Sequence, residues 1–151
     1  MQRLTNGTWV VIADGEKALF LENEGDGRYP LLRLRRQENN DNPPDRDQGS
    51  DKAGQAGNAR GGTGSAMEET DFHQLEKERF AQDLAERLYK LSHAGKFARL
   101  VLVASPQMLG IIRPALHKEV QDKIVLEIAK SLTSLPVDQI EKAIVAELSG
   151  A

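Results

Sequence analysis

The chain contains no cysteine, so disulfides and thiolate chemistry are excluded. Histidine is scarce: His73, His93 and His117 are the only three, and no two stand at an i, i+4 metal-ligand spacing. No apolar run approaches the length of a membrane span. The first seven residues, Met1 to Gly7, are polar and carry no apolar signal core. The expectation from these absences is a cytoplasmic protein with no membrane partner. A strong charge of either sign is also lacking. With a formal net charge of −3, the whole molecule has no attraction for nucleic acid, so any such binding needs a local basic patch.

What is present suits one α/β domain over residues 1–151: 39% hydrophobic and 28% charged residues. Thr8 to Ala13 is a short β-branched apolar run, suited to a central strand covered on both faces. Asp14-Gly15 follows as a hairpin signal, with the glycine expected at positive φ. Lys17 to Glu22 reads as a second strand and Tyr29 to Arg36 as a third. In the third, Leu32 and Leu34 alternate with Arg33 and Arg35, which predicts one buried and one wet face near a sheet edge.

From Glu38 to Thr70 the composition shifts to Asn, Asp, Pro, Gly, Ser and Gln, with Met67 the only large apolar residue. Such a segment buries too little surface to offset its ordering entropy. A flexible glycine-rich insertion over about 38–70 is the expectation. A helix should start at Asp71, with Gln74 as capping partner, and end at Gly95. Its apolar positions are Phe72, Leu75, Phe80, Leu84, Leu88 and Leu91, whose burial would contribute roughly 10 kcal/mol before entropy.

Phe97 to Ala104 holds the second central-strand run. Ser105-Pro106 opens a short helix that Pro114 bends or ends. Ile124 to Ile128 reads as a last strand, and Leu135-Pro136 opens a final helix carrying Ile140, Ile144, Val145 and Leu148. A helical crossover makes the two apolar runs parallel neighbours. The simplest five-stranded mixed sheet then has the order 3-2-1-4-5 with only strand 2 antiparallel, which is the ribonuclease H-like fold.

Several segments resemble the bacterial host attachment protein family: Trp9 to Gly15, Thr70 to Ala81, Arg99 to Pro106 with Leu109-Gly110, and Leu132 to Pro136. The resemblance covers nearly the whole chain outside the central insertion. It implies a link to bacterial attachment to host cells and no particular chemistry. That family in turn resembles the middle domain of archaeal and eukaryotic class-1 release factors, which carries Gly-Gly-Gln in a loop before its main helix. The glycine-rich segment here occupies the corresponding place, but Gly61-Gly62 is followed by Thr63, and Gln55 follows the single Gly54.

Candidate chemistry is thin. Asp14 ends the first strand, where a ribonuclease H carries one metal-binding carboxylate; Glu76 or Glu78 would supply another. The fourth strand ends in Ala104-Ser105-Pro106, so its carboxylate is missing. Asp14 also fits a plain turn role. His73 near Glu76 fits an acid–base group or a capping side chain. His93 and His117 fall near helix ends, where a cation suits the helix dipole. Ser105 fits a phosphate-binding helix start or a plain cap. The sharpest candidate is Arg60-Gly61-Gly62-Thr63-Gly64, which fits a backbone that approaches a ligand closely with Arg60 set to meet a phosphate, or a disordered linker of biased composition. Arg33, Arg35, Arg36 and Arg46 extend it as a basic strip, or form a solvated edge.

Three functions are expected in order. The first is a non-catalytic interaction protein of the host attachment family, with an unknown protein partner and no cofactor. The second is a translation-associated factor meeting RNA or the ribosome through the glycine-rich segment. The third, a metal-dependent nuclease, lacks one carboxylate.

Overall fold

A computed structural model describes residues 4–40 and 56–150, and the side chains of residues 4–40 and 73–149. Pro43-Pro44, Arg46, Gly54-Gln55 and the side chains of Arg60 and Thr63 lie outside that description. The described residues form five strands: β1 (Trp9–Ala13), β2 (Lys17–Asn23), β3 (Leu32–Asn39), β4 (Leu100–Ala104) and β5 (Ile124–Ala129). Among the described residues four α-helices accompany them: α1 (Ala56–His93), α2 (Pro106–Ile112), α3 (Lys118–Gln121) and α4 (Val137–Gly150).

The sheet order is β3-β2-β1-β4-β5. β1 and β4 are parallel from Trp9 opposite Leu100 to Ala13 opposite Ala104. β4 and β5 are also parallel, while β2 runs antiparallel to both of its neighbours. This is the expected ribonuclease H-like arrangement. Its physical basis is the two-residue period of a strand, which sends alternate side chains to opposite faces. Trp9, Val11, Ala13, Leu100, Leu102 and Ala104 join one apolar cluster with α1, α2 and α3. Val10, Ile12, Val101 and Val103 join the other with α4. Every residue of β1 and β4 is buried, which a continuous apolar run requires.

Strand β3 starts later than its sequence predicts. Asp26 Oδ1 accepts the N–H groups of Arg28 (2.9 Å) and Tyr29 (2.7 Å), folding them into a turn where Tyr29 is 73% exposed. Leu32 is buried, but Leu34 on the same face is 47% exposed, so the two-faced expectation fails there. Cover over this face comes from α4, whose Glu141 carboxylate accepts Leu32 N–H at 2.9 Å, at the start of the strand. Arg35 is an extra residue: Leu21 faces Leu34 and Phe20 faces Arg36.

The larger correction concerns the two ends of the insertion; its middle, residues 41–55, lies outside the described residues. Glu38 and Asn39 belong to β3, and α1 begins at Ala56 rather than Asp71. Asp71 is therefore a residue inside a helix and not a cap. No proline occurs between Pro44 and Pro106, so nothing sterically halts the helix in between. Once Phe80, Leu84 and Leu88 anchor it, each further residue adds a backbone bond without a new nucleus. The glycines cost up to about 1 kcal/mol each against alanine, and Ala56, Ala59, Ala66 and Met67 favour the helix. Leu75 is 61% exposed, so among the described side chains the buried stripe of α1 starts at Phe80. The other end is as expected. Gly95 takes φ +77°, its N–H reaches Ser92 O (2.9 Å), and Lys96 N–H reaches Leu91 O (3.0 Å).

Pro114 sits in a 3₁₀ turn, Arg113–Ala115, directly after α2. The four-residue α3 has no counterpart in the sequence reading; His117 caps it. In α4, Ile140, Ile144 and Leu148 are buried and Val145 is exposed. Among the described residues no helix is long and apolar enough to cross a membrane.

Candidate functional site

Three parallel strands, β1, β4 and β5, finish at one end of the sheet, and ligands of open α/β sheets bind beyond such carboxyl ends. Asp14 follows β1 and Ser105 follows β4 at that end. The segment between β5 and α4 brings Thr133 there as well.

Asp14 is held on three sides. Its Oδ1 accepts the N–H groups of Glu16 (2.7 Å) and Lys17 (2.8 Å), and its Oδ2 accepts the Thr133 hydroxyl at 2.6 Å. Burial pushes its carboxyl up. The Thr133 hydroxyl, the two backbone donors and the Lys17 charge outweigh that and set it below the usual carboxylate value. The turn role of Asp14 is thus real, and the tie to Thr133 is added to it.

Gly15 does not take the positive φ its sequence suggests; Gly7 and Gly95 do. The connection from β1 to β2 is three residues long, so it escapes the two-residue turn geometry that imposes positive φ. What Gly15 provides is room. A Cβ there would stand 3.2 Å from Lys77 Cγ, so the lysine stem lies against the turn. Lys77 Nζ then reaches Gln107 Oε1 at 3.5 Å, joining α1 to α2. Ser105 Oγ accepts Met108 N–H at 3.2 Å with Pro106 in the first helical turn, which is the capping role.

The other sequence candidates are placed apart. His73 is exposed on α1. Glu76 pairs with Arg79 at 2.6 Å, and Glu78 accepts from Gln74 at 3.0 Å. Among the described residues no three His, Asp or Glu side chains form a group able to hold a metal ion. His93 sits in the last turn of α1 with Nδ1 3.4 Å from Glu119 Oε1. His117 departs from the expectation of a cation at a helix carboxyl end. It begins α3, where its Nδ1 accepts Glu119 N–H at 3.0 Å, a bond that needs a neutral nitrogen.

Each described arginine of the basic strip, Arg33, Arg35 and Arg36, faces a carboxylate. Arg33 Nε lies 3.1 Å from Glu24, Arg35 Nε lies 2.9 Å from Glu22, and Arg35 also bonds Glu24. Arg36 bonds Glu38, which Arg87 of α1 also reaches at 3.1 Å. Cross-strand pairing on β2 and β3 sets most of these contacts. Thr133, Lys77 and Gln107 were missed by the sequence reading. Thr133 lies in the quoted Leu132–Pro136 segment, but its partner is 119 residues away.

Arg60 to Gly64 lie in the backbone of α1. Because α1 crosses between parallel strands, it runs back against β1, and its amino-terminal part extends past the carboxyl ends of the strands. Residues 56–76 make about 30 Å of helix beyond Lys77 at 1.5 Å per residue.

Sheet order and helix placement define an α/β protein of ribonuclease H-like topology with an elongated crossover helix. The chain belongs to the bacterial archaeo-eukaryotic release factor family 12, which matches residues 7–144. It is 33% identical over 79 residues to an uncharacterized protein of Rickettsia prowazekii (strain Madrid E), covering 51% of this chain and 53% of that one. The chain thus spans about half the length of the curated relative it matches. The crystal structure of the archaeal translation termination factor aRF1 aligns over 95% of this chain and 41% of its own, with a TM-score of 0.47 and 9% identity. The release-factor resemblance read from the sequence is supported by the family, and the host attachment reading draws no support from these matches.

Proposed function

We propose that this protein is a translation-associated factor that approaches RNA or the ribosome with the amino-terminal part of α1. Membership of the release factor family over residues 7–144 carries this reading. Placement of Arg60 to Gly64 on the helix that runs out past the strand ends supports it. Glycines there let the backbone approach a partner closely, and Arg60 offers a guanidinium for phosphate.

The chemistry offered is binding without hydrolysis. The sequence has no Gly-Gly-Gln tripeptide, and Thr63 after Gly61-Gly62 lacks the amide donor–acceptor pair of glutamine. Peptidyl-tRNA hydrolysis is expected to be weak or absent. Arg33, Arg35 and Arg36 form a secondary contact whose charge is damped by Glu22, Glu24 and Glu38. Co-sedimentation with ribosomes at low salt tests the reading: wild type pellets with them, and Arg60→Glu pellets less. A wild-type protein that stays in the supernatant contradicts it.

A further inference from the structure

The turn between β2 and β3 is organised by a side chain inside the fold. Asn23, fully buried, accepts the N–H groups of Gly25 (2.9 Å) and Leu31 (2.8 Å) on Oδ1, and its Nδ2 donates to Leu4 O (2.5 Å) and Thr5 O (3.2 Å). Asn6 Nδ2 donates to Gly25 O at 2.7 Å. Glu24 N–H meets Leu31 O at 2.8 Å, and Asp26 N–H meets Tyr29 O at 3.2 Å. With the two bonds to Asp26 Oδ1, the backbone from Asn23 to Leu31 is fixed in one shape.

The side chains that this frame turns to solvent take no part in holding it. Tyr29 is 73% exposed, the most of any large hydrophobic side chain among the described residues. Arg28, just before it, is exposed as well. Glu24 pairs with Arg33 and Arg35, and Asp26 Oδ1 with the turn backbone, while Arg28 has no ion-pair partner among the described residues. An exposed ring forgoes the stabilisation of burial, and a fixed backbone lowers the ordering cost of binding. β2 ends beside Trp9, the first residue of β1, so the turn lies at the amino ends of the parallel strands, away from the extended part of α1.

We propose that Tyr29 is a stacking platform for a base of single-stranded RNA, with Arg28 on the adjoining phosphate. This rests on the translation-associated reading and adds a second contact, at the end of the sheet opposite to Arg60. Every nucleobase offers a flat face, so an exposed ring holds one whatever its sequence, and single strands are the form of RNA whose bases are free to stack. Charge favours this occupant over an apolar one. Arginines stand on both sides of Tyr29 in the chain, at Arg28 and at Arg33, Arg35 and Arg36 of β3, and the acids nearest to the ring are already bonded within the turn and strand. Arg28 is the member of that series with its guanidinium left for phosphate.

Fluorescence anisotropy of the full chain with a labelled oligoadenylate of about eight nucleotides tests the platform. Wild type should bind at low salt. Tyr29→Ala should weaken binding about tenfold, the effect of one lost stack, and Tyr29→Phe should retain it, because the ring and not the hydroxyl holds the base. Arg28→Gln should weaken binding and make its salt slope shallower by about 0.7. Equal affinity of Tyr29→Ala and wild type overturns the proposal, as does a Tyr29→Phe as weak as Tyr29→Ala. Loss of ribosome co-sedimentation in Tyr29→Ala, from a wild type with no affinity for oligoadenylate, assigns the turn to a protein partner and also overturns it. Arg60→Glu separates this inference from the reading it rests on. Ribosome binding that Arg60→Glu weakens and Tyr29→Ala leaves unchanged defeats the platform alone, and the reverse pattern defeats the Arg60 contact alone.

Discussion

Thr133 Oγ donates to Asp14 Oδ2 at 2.6 Å, so the segment entering α4 is tied to the end of the first strand. The carboxylate also closes the β1–β2 turn through Glu16 and Lys17 N–H. One side chain therefore holds two connections together.

That arrangement predicts unequal losses. Thr133→Val removes one donor to a charged group and should destabilise by about 1–2 kcal/mol in urea denaturation at pH 7. Asp14→Ala strips the turn of its acceptor as well and should cost more. Asp14→Asn keeps an acceptor for Glu16 and Lys17 and should cost least.

Acid should find the same bond. Asp14 has its folded-state pKa below the ordinary 3.8, so its contribution is fully present above that value. It is lost as pH falls from about 3.8 through the folded pKa. Stability curves of wild type and Asp14→Asn should run parallel above about pH 5 and converge below the folded pKa of Asp14, because only the wild type has this carboxylate to protonate. Curves that stay parallel to pH 2 would remove Asp14 from the acid response.

Helix α1 divides into a packed part and an extended part. Leu88, fully buried in the cluster under the sheet, should cost about 2–5 kcal/mol as Leu88→Ala. Leu75, 61% exposed, should change stability by less than about 0.5 kcal/mol as Leu75→Ala. Equal losses at the two sites would mean that the packed stripe begins well before Phe80.

Two glycines separate just as clearly. A Cβ at Gly25 would collide with Tyr29 O and stand 2.8 Å from Leu31 N, so Gly25→Ala must open the β2–β3 turn. A loss of at least about 2 kcal/mol is expected, as for an overpacked core. Nothing stands within 4 Å of a Cβ at Gly110 in α2, so Gly110→Ala should raise the melting temperature.

The sheet was legible because Thr8–Ala13 and Phe97–Ala104 are short, continuous and β-branched, and a helical crossover leaves few ways to place them. The turn glycine at 95 was legible for a local reason, its positive φ after the last apolar position. The start of α1 was not, because glycine content argues locally for a loop while helix propagation depends on an anchor more than ten residues away at Phe80. Nor was the damping of Arg33 and Arg35 by Glu24 and Glu22, which needs the β2–β3 register and the extra residue at Arg35. Asp14 was visible as a candidate, but Thr133 was not, since no local pattern links residues so far apart.

Glu24 offers a way to test the damping itself. Glu24→Gln frees Arg33 and weakens the hold on Arg35 without adding a charge. If the strip contributes to RNA contact, this variant should bind ribosomal RNA several-fold more tightly than wild type in filter binding at low salt. An unchanged affinity would place the contact elsewhere.

Arg60 to Gly64, at the extended end of α1, is the segment proposed to meet RNA or the ribosome. Its most direct test is the salt dependence of ribosome binding for wild type and Arg60→Glu, measured by co-sedimentation. Phosphate contacts release counterions, so affinity should fall linearly on a logarithmic scale with rising salt. Weaker binding and a slope shallower by about 1 are expected for Arg60→Glu. Equal affinity and equal slope for the two proteins would contradict the proposal.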